Sequence, residues 1–148
     1  MRYRSEQELK NERIAREVEN SSRAALFSTE TWAVVSIVYG VALCVGGHTR
    51  WVGDAYYALN RLPGAPYTWG ALFIVGGILT RIGCATSHFG VRDTGMWLLV
   101  ATCLAAAGGF AYAAYELPTA PVGPSILIAA VGLNIMVLIR IRGKRPPK

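Results

Sequence analysis

Four stretches of this chain carry no charged side chain, and their lengths restrict what it can fold into more than any other feature. They run from Thr31 to Thr49, Leu62 to Thr80, Thr94 to Tyr115 and Leu117 to Ile139, and hold 19, 19, 22 and 23 residues. A helix rising about 1.5 Å per residue needs roughly 20 apolar residues to cross about 30 Å of hydrocarbon. All four runs meet that requirement. Helices of a soluble protein would need polar faces to cover so much apolar surface. Here 53% of the residues are hydrophobic, and the charged ones concentrate in the two tails and the short connections. The predicted fold class is therefore an all-α integral membrane protein with four transmembrane helices. Residues 1–30 form a charged cytoplasmic stalk, 31–140 the membrane domain and 141–148 a basic tail.

Orientation follows from the basic residues, because Lys and Arg in short connections are retained on the cytoplasmic side. Thirteen of the fifteen fall before the first run, beside the second connection or after the last run, which leaves Arg50 and Arg61 on the other face. The expectation is a multi-pass protein of the cytoplasmic membrane with both termini in the cytoplasm. The net charge of +6 then serves orientation and contact with anionic lipid rather than nucleic acid, for which no binding motif is present. A cleavable signal is not expected, since about 30 polar residues precede the first apolar run, far more than a short basic leader.

The stalk reads as an amphipathic helix over residues 5 to about 27. Ser5 and Glu8 form a capping box, and Glu6 with Lys10, Glu12 with Arg16 and Glu19 with Arg23 are spaced for i,i+4 ion pairs. Its apolar stripe of Ile14, Val18 and Ala25 is thin. In the first outer connection, Trp51, Ala55, Ala58, Leu59 and Leu62 recur at helical spacing. This predicts a short interfacial helix over residues 50–61, lying on the outer surface and ended by the turn Leu62-Pro63-Gly64-Ala65-Pro66. The second span then starts near Tyr67 and runs to about Thr86, and the third starts close to Arg92. Membrane-interface positions are assigned to Trp51, Leu59, Tyr67, Trp69, Arg81 and Arg140, with Arg81 reaching the cytoplasmic headgroups along its long stem.

Small residues carry the strongest internal pattern. Ala101, Ala105, Gly109 and Ala113 recur every four residues in the third span, and Ser36 with Gly40 and Gly76 with Thr80 repeat the spacing in the first two. Burying apolar surface gives no special drive between helices in lipid, so small side chains matter by letting backbones approach. Packing inside one monomer and an interface between protomers both fit the pattern. Asn134 is the one strongly polar side chain of the last span, and it needs a hydrogen-bond partner there.

No catalytic residue is assigned. No Asp, Glu or Lys lies in the middle of a run, and His48 and His88 fall at opposite membrane faces, so neither a proton pathway nor a metal site is formed. Cys44, Cys84 and Cys103 lack metal-ligand spacing; Cys44 and Cys103 read as small membrane-domain residues, while the juxtamembrane Cys84 is open to acylation or redox chemistry as well. No cofactor is expected. The partners expected are the lipid bilayer and either a second copy or another membrane protein.

A charged N-terminal stalk, four Ala- and Gly-rich spans, the segment Asn60-Arg61-Leu62-Pro63-Gly64-Ala65-Pro66-Tyr67-Thr68-Trp69 and the basic tail Arg140 to Lys148 together resemble small membrane proteins of actinobacterial phages and their hosts. The likeness extends along the chain without a diagnostic motif. Arg outnumbers Lys twelve to three, which fits a GC-rich genome. Some proteins of that kind are holins, which assemble in the cytoplasmic membrane and permeabilise it during lysis; others exclude competing phages. The resemblance implies a non-enzymatic, self-associating, holin-like protein, with superinfection exclusion or an accessory role in a host membrane complex as alternatives.

Overall fold

A computed structural model describes residues 6–50, 53–61 and 63–143. They form four helices: α1 (Glu6–Arg50), α2 (Tyr67–Ala85), α3 (Phe89–Glu116) and α4 (Gly123–Gly143). Two short 3-10 turns, Asp54–Tyr56 and Leu59–Arg61, lie between α1 and α2. Among the described residues there is no strand. Each of the four helices is long and apolar enough to cross a membrane. The α1–α2 and α3–α4 connections lie at one end of the bundle, here the loop end. The stalk, the α2–α3 connection and the end of α4 mark the opposite, tail end.

The stalk and the first span are one helix. At about 1.5 Å per residue the part of α1 before Gly47 extends about 60 Å, twice the hydrocarbon thickness of about 30 Å. The helical path breaks only near its loop end, at Gly47 (φ 51°, ψ −159°). Two of the expected stalk ion pairs form, Glu12 with Arg16 at 3.9 Å and Glu19 with Arg23 at 2.7 Å. Ser5 of the expected capping box lies outside the described residues. From Ala25 onward, α1 turns one face inward, where Ala25, Thr29 and Ala33 are buried.

Hydroxyls inside the apolar layer are satisfied within their own helices. Thr29 donates to the Ala25 carbonyl, Ser36 to Trp32, Thr80 to Gly76 and Thr102 to Leu98, all at 2.7–2.8 Å. Such i−4 bonds let Ser and Thr sit where no water can serve them. They leave shape, rather than polarity, to decide how the helices meet.

Successive helices pack antiparallel. Along α1 and α2 the backbones almost touch: a Cβ on Gly40 would sit 2.6 Å from the Gly70 carbonyl oxygen, and one on Gly77 would sit 2.7 Å from that of Ala33. Along α2 and α3, Gly76 faces Leu99, Thr80 faces Gly95 and Gly83 lies against the Arg92 backbone. α4 packs on α3, with Gly132 opposite Cys103. The core residues Met96, Leu99, Val100, Cys103, Phe73 and Ile135 gather around the middle of α3, which is the most enclosed helix. α1 packs on α2 and α4 on α3, and α1 and α4 meet each other towards the tail end. Between them Trp32 Nε1 donates to Asn134 Oδ1 at 3.2 Å.

Span boundaries differ little from those expected. α2 begins at Tyr67, and Thr86 follows its last residue, its amide donating to the Ile82 carbonyl. α3 begins at Phe89, three residues before Arg92, because the backbone turns back at once through Ser87, whose φ is +56°.

Candidate functional site

The four-residue spacing in α3 does not lie along one face of the straight helix. Each four-residue step overshoots a full turn by about 40°, so three steps rotate by about 120°. The structure divides the stripe accordingly: Ala101 and Ala105 are exposed, Gly109 is half-buried and Ala113 is fully buried. A Cβ on Gly109 would meet Leu59 Cδ2 at 2.5 Å, so this position packs inside the monomer. Gly108, by contrast, has nothing within 4 Å of a Cβ. Ala101, Ala105 and Gly108 thus lie on the exposed face of α3, beside the exposed Trp97, Leu104 and Tyr112. Ser36, Gly40 and Gly76 are buried within the monomer, and Asn134 is the Trp32 partner.

The 50–61 segment differs from the expected interfacial helix. It forms two 3-10 turns, and Leu59, expected to face lipid, is 3% exposed in a cluster with Trp69, Ala106 and Phe110. The indole of Trp69 is 4% exposed, and its Nε1 donates to the Leu59 carbonyl at 3.2 Å. Both residues therefore belong to the protein interior. The reason is local: Gly53 takes a φ of 141°, open to glycine but rarely to other residues. The chain then folds back over α3 instead of continuing as a helix. Thr119 donates to Asp54, which ties this segment to the α3–α4 connection. Tyr57 bonds to Arg61 and also lies beneath its guanidinium. That neighbour pushes Arg61 above its ordinary pKa.

Of the other interface assignments, Tyr67 is half exposed at the loop end and Arg140 is exposed on α4. Trp51 lies outside the described residues. Arg81 pairs with Glu30 at 3.0 Å across α1 and α2. This contact was open to sequence reasoning, since Glu30 opens the first span and Arg81 closes the second at the same end. Arg92 is 6% exposed and donates Nε and Nη2 to one carboxylate oxygen of Asp93, at 2.9 and 2.7 Å. Its charge is consumed locally.

A slot of about 650 Å³ lies between α1 and α4, with Phe73 of α2 and Cys103 of α3 at its back and Tyr56 at its loop end. No sequence pattern marks it, because it arises from how far α1 and α4 stand apart. Among the described residues no group of three or more His, Cys, Asp or Glu side chains gathers as a metal site would require. Comparison with protein families, curated proteins and solved structures finds no match.

Proposed function

We propose that this is a non-enzymatic, self-associating protein of the cytoplasmic membrane, with both termini in the cytoplasm and a holin-like permeabilising activity. The observation that supports the reading is the uncovered face of Ala101, Ala105 and Gly108. Gly40, Gly70, Gly76, Gly77 and Gly95 sit where a neighbouring helix leaves no room for a side chain. Three small positions on an outward face make no such contact. In lipid, a face of this kind lets a second helix approach closely enough for van der Waals packing. A protein that perforates a membrane by assembly needs association between protomers after its own bundle is complete.

Ala105→Leu tests the reading, because it adds bulk to this face while leaving the interior alone. Wild type is expected to cross-link into large assemblies and to depolarise the membrane once abundant, whereas the variant inserts and does neither. A monomeric wild type that causes no leakage at high abundance contradicts the proposal. Gly109→Leu is unsuitable for this comparison, since it collides with Leu59 inside the monomer.

A docking role in a larger membrane complex is favoured by a different feature. Leu9, Ile14 and Val18 of the stalk are at least half exposed, which leaves an apolar strip for a cytoplasmic partner. Deleting residues 1–20 should abolish that role while leaving the assembly of the spans intact.

A further inference from the structure

The slot between α1 and α4 is roofed and floored. At the loop end Ala55, Tyr56 and Leu59 fold over it. Towards the tail end the Trp32–Asn134 hydrogen bond closes the gap. Its walls are held by edge-to-face aromatic pairs, Tyr39 with Phe73 at 5.2 Å and Tyr56 with Phe110 at 5.5 Å. At the lips Val35 of α1 and Leu127 of α4 are 47% and 70% exposed, so the slot opens sideways between the two helices.

We propose that this slot binds one acyl chain of a membrane phospholipid from the leaflet on the loop side. The lining is almost wholly apolar, and three of its polar donors are already used: Ser36 on the Trp32 carbonyl, Trp32 on Asn134 and Trp69 on the Leu59 carbonyl. A water molecule needs two to four polar partners to remain in a cavity, so solvent is a poor occupant. Length also fits. The lining runs from Trp32 to Leu43 along α1 and from Cys103 to Phe110 along α3, about 10 to 16 Å at about 1.5 Å per residue. One leaflet's share of the hydrocarbon is about 15 Å.

The closed ends exclude a partner helix, because the roof of Ala55, Tyr56 and Leu59 and the Trp32–Asn134 bond would stop one from continuing through. An acyl chain enters through the lateral opening without leaving hydrocarbon. The site depends on the four spans alone, and it stands whether or not protomers associate.

Photolabelling tests this directly. The full-length protein is reconstituted in phosphatidylcholine vesicles containing a fraction of phosphatidylcholine with a diazirine in one acyl chain, then irradiated and mapped by peptide mass spectrometry. Adducts are expected on the slot residues Phe73 and Cys103, which are 8% and 3% exposed, as well as on outward-facing Val75 and Ile78. Val35→Trp and Leu127→Trp each fill one lip from a different, exposed position. Either should abolish the Phe73 and Cys103 adducts and leave those on Val75 and Ile78. Labelling confined to Val75 and Ile78 in the wild type overturns the proposal. So does slot labelling that persists in both folded variants, or protein–protein cross-links from a second copy at Phe73 and Cys103 in place of lipid adducts.

Discussion

Alanine at Gly40 and at Gly108 makes the same chemical change in two settings that the fold treats oppositely. At Gly40 the new methyl would lie 2.6 Å from the Gly70 oxygen, 2.7 Å from Ile74 Cγ1 and 3.0 Å from the Ile74 nitrogen. Reaching ordinary contact near 3.4 Å requires α1 and α2 to separate locally by roughly 0.8 Å. A gap of that size forfeits about a quarter to a half of each neighbouring van der Waals well. The matching contact between Gly77 and Ala33 loosens with it. Overpacking of this kind costs about 1–3 kcal/mol, offset by about 1 kcal/mol because alanine is the better helix former. A net loss of up to about 2 kcal/mol is expected for Gly40→Ala. At Gly108, where nothing lies within 4 Å, only the helix preference remains, and Gly108→Ala should be stabilising by up to about 1 kcal/mol. Unfolding by SDS titration in mixed micelles, followed by near-ultraviolet circular dichroism, measures both. The two variants should differ by about 1–3 kcal/mol, the overpacking cost alone, because the helix preference is common to both. Equal stabilities, or a more stable Gly40→Ala, would refute the backbone-contact account of the α1–α2 pair.

Two further outcomes follow from the same structure. Leu59→Ala removes the side chain lodged against Trp69 and Phe110 and should cost about 2–3 kcal/mol, near the low end for buried leucine. It should also speed proteolysis within residues 53–61 added from the loop side. Asp93→Asn removes the carboxylate that receives both Arg92 donors. A loss of about 1–2 kcal/mol is expected in the same SDS titration, less than for a fully buried pair because Asp93 is 41% exposed.

The spans were legible because each is decided locally, by the length of an uncharged run. The start of α2 at Tyr67 followed from the Pro-Gly-Ala-Pro turn, and the ion pairs of the stalk followed from i,i+4 spacing. Features that depend on how helices rotate and separate were not legible. Four-residue spacing placed Ala101 and Ala113 on one face, yet the turn of a straight α-helix carries them to opposite environments, one exposed and the other buried. The apolar face of Ala55, Ala58 and Leu59 correctly marked residues that bury something. Its period could not tell lipid from protein, and after the non-helical Gly53 the chain packs Leu59 against Ala106 and Phe110 of α3. Asn134 announced the need for a partner, and only the fold supplies Trp32. The slot had no signature, since its residues come from all four helices and the loop-end turns.

The central claim is a chain that crosses the membrane four times with both ends on the cytoplasmic side. Cysteine labelling tests it most directly, after Cys44, Cys84 and Cys103 are replaced by Ala. A cysteine is then placed singly at Tyr57, which is 41% exposed at the loop end, or at Ser21 on the exposed stalk. A membrane-impermeant maleimide applied to intact cells should label Tyr57→Cys fully and leave Ser21→Cys unlabelled until the cells are opened. Labelling of Ser21→Cys in intact cells with Tyr57→Cys protected would contradict the orientation, and labelling of both from outside would contradict the four-span topology.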